Sequence, residues 1–401
     1  MMGKPVRREG KLFHVGFDLD SRVPADHPLR RIDSVIDFSF VRPLVASRYG
    51  HNGHVSVDPA LLLRLLFLCF HENVRSEREL MHQLPMRLDW LWFCGLDLDD
   101  AVPDHSVLSK ARRRWGEEVF EQVFTRVLDS CRQAGLISGR TMHADSTLLK
   151  ANASLEGRIS RTLWRQLEQS SALAKKQQDP SGPDADGGEP ASTPEVTAPS
   201  PANPLSPPTK LNQWLVSPVD PDAATSTRTK GGTTLGYRDH RLIDDQCGII
   251  VATLATPADR DDGAMLPELL EHHEDYLGVL PAEVVGDSMY GTRENYALLE
   301  AQGVRAYLKK RKGKDSPKVS WLKLLAAGCT AGRARYLLGR RKSRAEGSFA
   351  EAHVRMNHRR CRWRRRQQVQ MQCYLVAMVQ NLKKLARTIL ESSPLPLAMA
   401  A

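Results

Sequence analysis

The pattern of hydrophobic and polar positions in the first third of the chain is helical. Asp58-Pro59 is a typical helix start, with Asp as N-cap and Pro in the first turn, and it opens a leucine-rich segment that runs to about Glu72. Ser76-Glu-Arg-Glu79 is a capping-box pattern that opens a second, shorter helix. From Val119 to Cys131, apolar residues recur at helical spacing. We therefore predict an all-helical domain here.

The helices predicted near residues 59–72 and 77–84 have two interpretations. A helix-turn-helix that reads DNA would have this arrangement. A plain helical bundle would have it too, and helix pairs of this kind are common. The sequence leaves both interpretations open.

Beyond residue 136 the pattern changes to short apolar runs, two of which end on aspartate. Arg140-Thr-Met-His-Ala-Asp145 and Ala282-Glu-Val-Val-Gly-Asp287 each predict a strand with a carboxylate at its carboxyl end. Residues 236–243 and 248–256 predict a hairpin, and residues 304–308 predict a further strand. With helices between these strands, the order predicts an α/β fold with a mixed sheet of about five strands flanked by helices.

A proline-rich segment interrupts this second part of the chain. Residues 180–221 hold 11 of the 24 prolines, with small and polar residues between them. Such a composition buries too little apolar surface to fold, so we predict a disordered insert at about 179–226. We expect three regions: helical residues 1–135, an α/β domain over 136–390 that contains the insert, and a flexible tail over 391–401.

The composition excludes several classes of protein. The chain has 401 residues, enough for two or three domains, and its longest apolar stretch, Leu61 to Phe70, contains Arg64 and is too short to span a bilayer. The seven cysteines are widely spaced and odd in number, which argues against a disulfide framework or a zinc knuckle. The first residues, Met-Met-Gly-Lys-Pro-Val-Arg-Arg, lack a following apolar signal region, so we expect a cytoplasmic protein.

The net charge of +10 is unevenly distributed. Residues 305–366 contain 21 Lys and Arg against three acidic residues, which gives this block +18 and leaves −8 for the rest of the chain. A block of this kind indicates a polyanionic partner, for which nucleic acid is the simplest candidate. A solvated basic surface, or one that contacts acidic lipid, is the alternative.

Asp145 and Asp287 are the first candidates for chemistry, because carboxylates at the ends of neighbouring strands can hold hard divalent cations. A third carboxylate within the basic block would be Asp315, Glu346 or Glu351. Three carboxylates could hold two Mg²⁺ ions and support in-line phosphoryl displacement. Taken singly, each residue has a structural explanation: a turn or helix cap for the aspartates, and an i,i+4 pair with a lysine for Glu346.

Four short motifs resemble those of the DDE transposases of bacterial insertion sequences. His143-Ala-Asp145-Ser-Thr is similar to the first acidic motif, and Gly286-Asp287-Ser-Met-Tyr290 is similar to the second, with Tyr three residues after Asp. Arg344-Ala-Glu346-Gly-Ser-Phe349 is similar to the third, and Gln380-Asn-Leu-Lys-Lys-Leu385 resembles the closing helix. The resemblance covers most of the chain apart from the proline-rich insert.

The resemblance implies an RNase H-like core, a catalytic and metal-binding triad of Asp145, Asp287 and Glu346, and dependence on Mg²⁺, for which Mn²⁺ would substitute. It also implies that the helical domain of residues 1–135 binds the DNA ends. It further implies cleavage at the terminal inverted repeats of a mobile element, strand transfer into target DNA, and a homo-oligomer that holds two DNA ends near the nucleoid. A non-catalytic DNA-binding protein and a nuclease that never joins ends are the alternatives on the same fold.

The third motif departs from the family pattern, in which Tyr, Arg, Glu and Lys are separated by two, three and six residues. Counted from Glu346, the Arg position holds Lys342, the Tyr position Gly339 and the Lys position His353. We prefer Glu346 over Glu351 as third acid because of its Arg-x-Glu-Gly-x-Phe context.

Three basic clusters are the candidates for contacts with DNA phosphate. Trp363, within the last cluster, would either stack on a flipped base or pack against the core. The candidate residues are Lys309, Lys310, Arg311, Lys312, Arg340, Arg341, Lys342, Arg344, Arg359, Arg360 and Arg362.

Overall fold

The structure is a computed structural model that describes residues 1–3, 18–50, 55–177, 210–229, 232–310 and 328–392. Arg311, Lys312 and Asp315 therefore lie outside the described residues, as do residues 179–209 of the predicted insert and residues 393–401 of the predicted tail. Within the described part of the chain, every helix is too short or too polar to span a lipid bilayer.

The amino-terminal part of the chain is helical, as its hydrophobic pattern predicts. Short 3₁₀ turns at Phe38–Phe40, Ala46–Arg48 and Leu84–Met86 connect some of its helices. The helices are α1 (Leu19–Arg22), α2 (Pro28–Val35), α3 (Val41–Val45), α4 (Pro59–His71), α5 (Glu77–Gln83), α6 (Leu88–Cys94) and α7 (Ser106–Gln133).

The predicted caps form as the local sequence requires. The Asp58 carboxylate accepts a hydrogen bond from the backbone N–H of Ala60, and Ser76 Oγ accepts one from the N–H of Glu79. Helix α7 bends at Gly116, whose φ of +72° and ψ of 176° are not helical. Each of these positions uses a conformation or a side-chain acceptor that its residue type supplies locally.

Helix α4 lies at the centre of the amino-terminal helices. All of its residues from Pro59 to Phe70 are buried except Arg64, whose side chain bonds to Asp33 and to the carbonyl oxygen of Phe93. A helix that is apolar on all sides belongs in the interior of a bundle. The burial of α4 therefore agrees with a helical bundle.

The second part of the chain is built on a six-stranded mixed sheet. β5 pairs antiparallel with β1 on one side and with β4 and β6 on the other, and β1, β7 and β8 run parallel. This arrangement contains the predicted five strands and adds β4. The strands are β1 (Thr141–Lys150), β2 (Ile159–Ser160), β3 (Leu215–Val216), β4 (Ala224–Thr229), β5 (Gly232–Asp244), β6 (Ile250–Pro257), β7 (Glu283–Gly291) and β8 (Arg305–Lys310).

Helices flank this sheet. A 3₁₀ turn at Gly263–Met265 leads into α10, and a π-helical turn, Lys342–Glu346, joins α12 to α13. The helices are α8 (Arg161–Gln177), α9 (Lys210–Trp214), α10 (Leu266–Leu277), α11 (Arg293–Ala301), α12 (Ala331–Arg341), α13 (Gly347–Arg355) and α14 (Arg366–Ser392).

The parallel pairing of β1 with β7 places the two predicted aspartates side by side. Ala144 is the register partner of Gly286, so Asp145 and Asp287 follow at the same edge of the sheet. Gly286 is required at this point because a Cβ there would lie 2.8 Å from Leu308 Cδ2 and 3.0 Å from Tyr290 Cβ. The strand can therefore pass between its neighbours only without a side chain at this position.

The proline-rich segment differs from the prediction at its carboxyl side. We predict disorder to about residue 226, but the structure folds α9, β3 and the first half of β4 before that point. Asn212 is the anchor: its amide bonds to the backbone N–H and C=O of Thr225 and to the Asp259 carboxylate. Asparagine can satisfy a neighbouring strand in this way, and composition alone does not reveal such a contact.

Helix α14 joins the two parts of the molecule. Its residues from Val369 to Leu382 are buried, and it packs against α7 on one side and β6 on the other. The amide of Asn381 bonds to both backbone groups of Ile250 in β6. The helical bundle and the sheet therefore share one continuous core.

Two residues of the last basic cluster belong to this junction and not to a free surface. Arg362 donates to the carbonyl oxygens of Cys69 at 2.9 Å and Val74 at 2.6 Å, and its guanidinium lies 4.1 Å from the Phe70 ring centroid. Burial lowers the pKa of Arg362. Trp363 packs edge-on against Phe70 and under the Arg112 guanidinium. Arg362 therefore ties the helical bundle to the part of the chain that contains the sheet, and Trp363 has the packing role.

We expect Arg362→Ala to lower the free energy of unfolding by about 2–4 kcal/mol, because it leaves buried carbonyl groups without a donor. Chemical denaturation measures the effect. The exposed neighbour Arg360 provides the matched control, since Arg360→Ala should change stability by less than about 0.5 kcal/mol. Equal effects of the two substitutions would contradict the structural role of Arg362.

Candidate active site

Three acidic side chains meet at the carboxyl edge of the parallel strands. Asp145 lies in β1, Asp287 lies in the neighbouring β7, and Glu346 ends the π-helical turn that packs on β1. The Arg341 guanidinium bridges two of them, with Nη1 2.9 Å from Asp145 Oδ2 and Nη2 2.8 Å from Glu346 Oε1. Asp287 Oδ1 accepts a hydrogen bond from the N–H of Met289 at 2.8 Å. The structure thus brings together the three residues that the sequence selects.

The pKa of Asp145 depends on the burial of its side chain and on the charges around it. Burial raises the pKa of Asp145 to about 7; the Arg341 charge opposes the shift, while the Asp287 and Glu346 charges add to it. Like charges nearby disfavour the ionised form of a carboxyl group, which agrees with the position of all three groups at one edge of the sheet. A half-buried group of three carboxylates is a site whose chemistry fits a divalent cation.

The π-helical turn explains the departure of the third motif from the family spacing. A regular α-helix would place Lys342 one turn before Glu346, but a π turn inserts one residue, so Arg341 occupies that place instead. The observed contact between Arg341 and Glu346 spans five residues, as a π turn requires. An arginine is therefore present at the Arg position of the motif in space, although the sequence count gives a lysine.

A buried arginine fixes the helix that carries Glu346. Arg241 in β5 donates from Nη1 to Ser348 Oγ at 3.0 Å and to Gln380 Oε1 at 2.9 Å. Gln380 in turn donates to the carbonyl oxygen of Ser348. Because Ser348 lies two residues after Glu346, these bonds set the distance between the sheet and the third carboxylate.

Glu351, the alternative third acid, has a different environment. Its carboxylate accepts hydrogen bonds from Lys383 at 2.5 Å and Gln380 at 3.0 Å, and these hydrogen bonds and the Lys383 charge lower its pKa against the effect of burial. It is thereby engaged with α14 and not with the carboxyl edge of β1 and β7. The geometry favours Glu346.

Two family models match the chain. One, described as "Transposase domain (DUF772)", matches residues 17–114, and the other, described as "Transposase DDE domain", matches residues 215–382. The chain belongs to the DDE transposases of insertion elements. Neither a curated protein nor a solved structure matches it.

The family match assigns the fold and the general class of this transposase. Its mixed sheet with flanking helices is that of an RNase H-like DDE domain, as the resemblance implies. The family is one of DNA-cleaving enzymes that bind DNA and generally use divalent metal ions. The second match contains Asp287 and Glu346, whereas Asp145 lies between the two matched segments and is placed by the structure.

Behind Asp145 the transposase has a polar cluster that the sequence analysis does not predict. Ser146 Oγ donates to Asp262 Oδ1 at 2.8 Å, and Arg238 Nη1 bonds to the same oxygen at 3.0 Å. His240 Nδ1 lies 3.7 Å from it. Asp261 and Asp262 are both candidates in the sequence to cap the helix that follows. Asp262 is the N-cap residue of the 3₁₀ turn, but its side chain makes no capping hydrogen bond and supports Ser146 of β1 instead, while Asp261 accepts a hydrogen bond from the N–H of Gly263. In the sequence, the pair of adjacent aspartates before a turn is the feature that could have indicated this polar cluster.

His353 occupies the position of the motif's lysine and lies against β1. Its Nε2 is 3.1 Å from Thr147 Oγ1, two residues along the strand from Asp145 and therefore on the same face. Burial, followed by nearby positive charges, lowers the pKa of His353 to about 4. At neutral pH His353 is thus uncharged and can hold the strand but cannot replace the charge of a lysine.

A second group of possible metal ligands lies in the core. Asp239, His358 and Cys373 are fully buried, with ligand atoms within 4.8 Å of one another. Asp239 already accepts hydrogen bonds from Arg241, His358 and Thr253. Because the guanidinium balances the carboxylate, this group is a satisfied ion pair and an unfavourable place for a further cation.

The remaining basic residues divide into two sets. Arg340 bonds to Asp245, and Arg344 bonds to the carbonyl oxygen of Gln246, so both fasten the turn between β5 and β6. The others are exposed along the carboxyl edge of the sheet or next to it. These exposed residues are Lys309 and Lys310 at the end of β8, Lys342 in the π turn, and Arg359 and Arg360, whose backbone pairs with Lys150 at the end of β1.

The buried His240 should make the stability of the transposase sensitive to acid. Burial, foremost, lowers the pKa of His240 to about 4, whereas an unfolded histidine titrates near 6.5. Between these values the unfolded state binds more protons, so stability is complete above about pH 6.5 and falls as the pH approaches 4. This residue alone should account for a loss of about 3 kcal/mol.

Denaturation curves at several pH values test this expectation. His240→Gln should flatten the loss of stability between about pH 6.5 and 4, whereas the matched control His82→Gln, at an exposed position, should not. An unchanged pH dependence in His240→Gln would show that other groups are responsible.

Proposed function

We propose that this transposase binds the terminal inverted repeats of its element, cleaves the DNA at these ends and joins them to target DNA by in-line phosphoryl transfer. The observation that carries the proposal is the convergence of Asp145, Asp287 and Glu346 at one edge of the sheet, from two parallel strands and a π turn. The family match supports it, since cleavage and joining of DNA are what the fold and class of the chain imply.

The roles of the residues follow from this geometry. Asp145, Asp287 and Glu346 would hold the metal ions. Mg²⁺, when bound, supplies activation of the attacking oxygen and stabilisation of the leaving oxygen. The carboxylates need a fixed backbone for this, and the Asp262–Ser146 bond holds β1 while the Arg241–Ser348 bond holds the helix that follows Glu346.

The exposed cations suggest the path of the DNA. Leu308 is the register partner of Gly286, so Lys309 lies at the strand end beside Asp287. Arg359 and Arg360 lie beyond Asp145 at the other end of the same edge, next to Lys150. Phosphates held at both places would leave a scissile bond near the carboxylates between them. Two ends require two copies of the chain, so we infer a homo-oligomer on DNA.

A non-catalytic DNA-binding protein on the same fold is the alternative. Its main support is the unusual spacing of the third motif. The π turn weakens this support, because it brings Arg341 to the place where the motif has its arginine. A requirement for a divalent metal distinguishes the two functions, because DNA cleavage would need the metal whereas DNA binding alone needs no metal.

We expect Asp145→Asn, Asp287→Asn and Glu346→Gln each to reduce metal-dependent cleavage of DNA by at least about a hundred-fold, because each removes a ligand charge worth several kcal/mol. The assay uses DNA that flanks the gene, with Mg²⁺, Mn²⁺ or EDTA. Glu351→Gln is the matched control and should cleave at a rate close to that of the unsubstituted protein. Tight binding without cleavage in either metal would favour the non-catalytic alternative.

The DNA path predicts a change in salt dependence. Replacing Arg359 and Arg360 by Gln should weaken binding to any duplex and reduce the slope of log K against log salt by about two, one for each lost phosphate contact. Arg126→Gln with Arg132→Gln removes the same charge from α7, where both side chains are exposed, and should leave the slope unchanged. Equal slopes for the two double variants would disprove the proposed path.

A further inference from the structure

The planar guanidinium of Arg341 forms ion pairs with two of the three acidic side chains. Its Nη1 and Nη2 atoms each contact a different carboxylate, at 2.9 Å on Asp145 and 2.8 Å on Glu346. These are short, charge-assisted bonds from a rigid fork. The Arg341 side chain is 17% exposed, so the charge lies largely inside the site and not over it.

The guanidinium contacts two of the carboxylates that would hold a divalent cation. Asp145 and Glu346 come from different elements, and carboxylate oxygens are the ligands that such a cation prefers. Arg341 Nη1 and Nη2 use the same oxygens, Asp145 Oδ2 and Glu346 Oε1. The arginine charge and a divalent ion are therefore competitors for the same carboxylates.

The chemistry of the Arg341 guanidinium also suits a second partner, a DNA phosphate. Its neighbours Arg340 and Arg344 are fastened to the turn between β5 and β6, whereas Arg341 bonds to the two carboxylates on which the chemistry depends. A guanidinium binds phosphate in the same two-pronged manner as it binds carboxylate. A DNA phosphate at this edge could thus take over the hydrogen bonds that the carboxylates now accept.

We propose that Arg341 is a positioning residue that pairs with Asp145 and Glu346 in the free transposase and releases both carboxylates when a DNA phosphate binds its guanidinium. The released carboxylates would then be available to hold a divalent ion, whereas in the free protein they stay paired with Arg341. This inference rests on the proposed function, because it takes the three carboxylates to be the metal site.

Direct measurement of metal binding tests the proposal apart from catalysis. Mn²⁺ is titrated into the full chain and followed by the electron paramagnetic resonance of the free ion, with and without a duplex of the DNA that flanks the gene. In the unsubstituted protein, the duplex should tighten Mn²⁺ binding by about ten-fold. This is the effect expected when Arg341 moves its charged hydrogen bonds from the carboxylates to a DNA phosphate.

Arg341→Gln should bind Mn²⁺ about ten-fold more tightly than the unsubstituted protein in the absence of DNA, and the duplex should no longer improve binding. Arg341→Lys keeps the charge without the fork and should give an intermediate affinity, which also covers the case in which the glutamine variant does not fold. Arg335→Gln, which removes one exposed charge from α12 outside the proposed DNA contacts, is the matched control and should behave as the unsubstituted protein.

The outcomes separate this inference from the proposed function. If Arg341→Gln and Arg341→Lys bind Mn²⁺ no more tightly than the unsubstituted protein while Asp145→Asn loses binding, the carboxylates are the metal site and the competition is wrong. If Asp145→Asn and Glu346→Gln leave Mn²⁺ binding unchanged, the proposed metal site is itself wrong, and the inference is overturned with it.

Discussion

The repulsion between carboxylates at the end of β1 and β7 is the constraint on which the rest of this site depends. The parallel register makes Asp145 and Asp287 neighbours, and the π turn adds Glu346. Burial raises the pKa of Asp145 to about 7, with the two other charges adding to the shift, so the group requires a compensating cation. Arg341 supplies that charge in the structure, and divalent ions would supply it in the proposed reaction.

The third carboxylate depends on a polar network inside the core. Asp239 and Arg241 are fully buried as a pair, and Arg241 reaches from β5 to Ser348 and Gln380. Breaking such a network is costly because it leaves a charge buried without its partner. The network therefore gives the sheet, α13 and α14 one relative placement, and Glu346 inherits its position from it.

Much of the fold could be predicted because its signals are local. The strand pattern before Asp145 and Asp287, the hairpin, and the caps at Asp58 and Ser76 depend on residues within a turn or two of one another. The structural role of Arg362, by contrast, could not be predicted from local signals, and the sequence assigned this residue to DNA. Its partners are carbonyl groups almost three hundred residues earlier in the chain, and only the folded core brings them near.

The sequence by itself determined the helical and α/β parts, the order of five strands along the chain, and the positions of Asp145 and Asp287 at the ends of two strands. These features are predictable because hydrophobic period and turn chemistry act over short distances. Tertiary structure alone decided which arginine faces the third carboxylate. A count along the chain places Lys342 one helical turn before Glu346, and only the π turn, stabilised by packing on β1 and β5, moves Arg341 there. A one-residue change in helical register has no local signal, since it arises from contacts between elements far apart in the sequence.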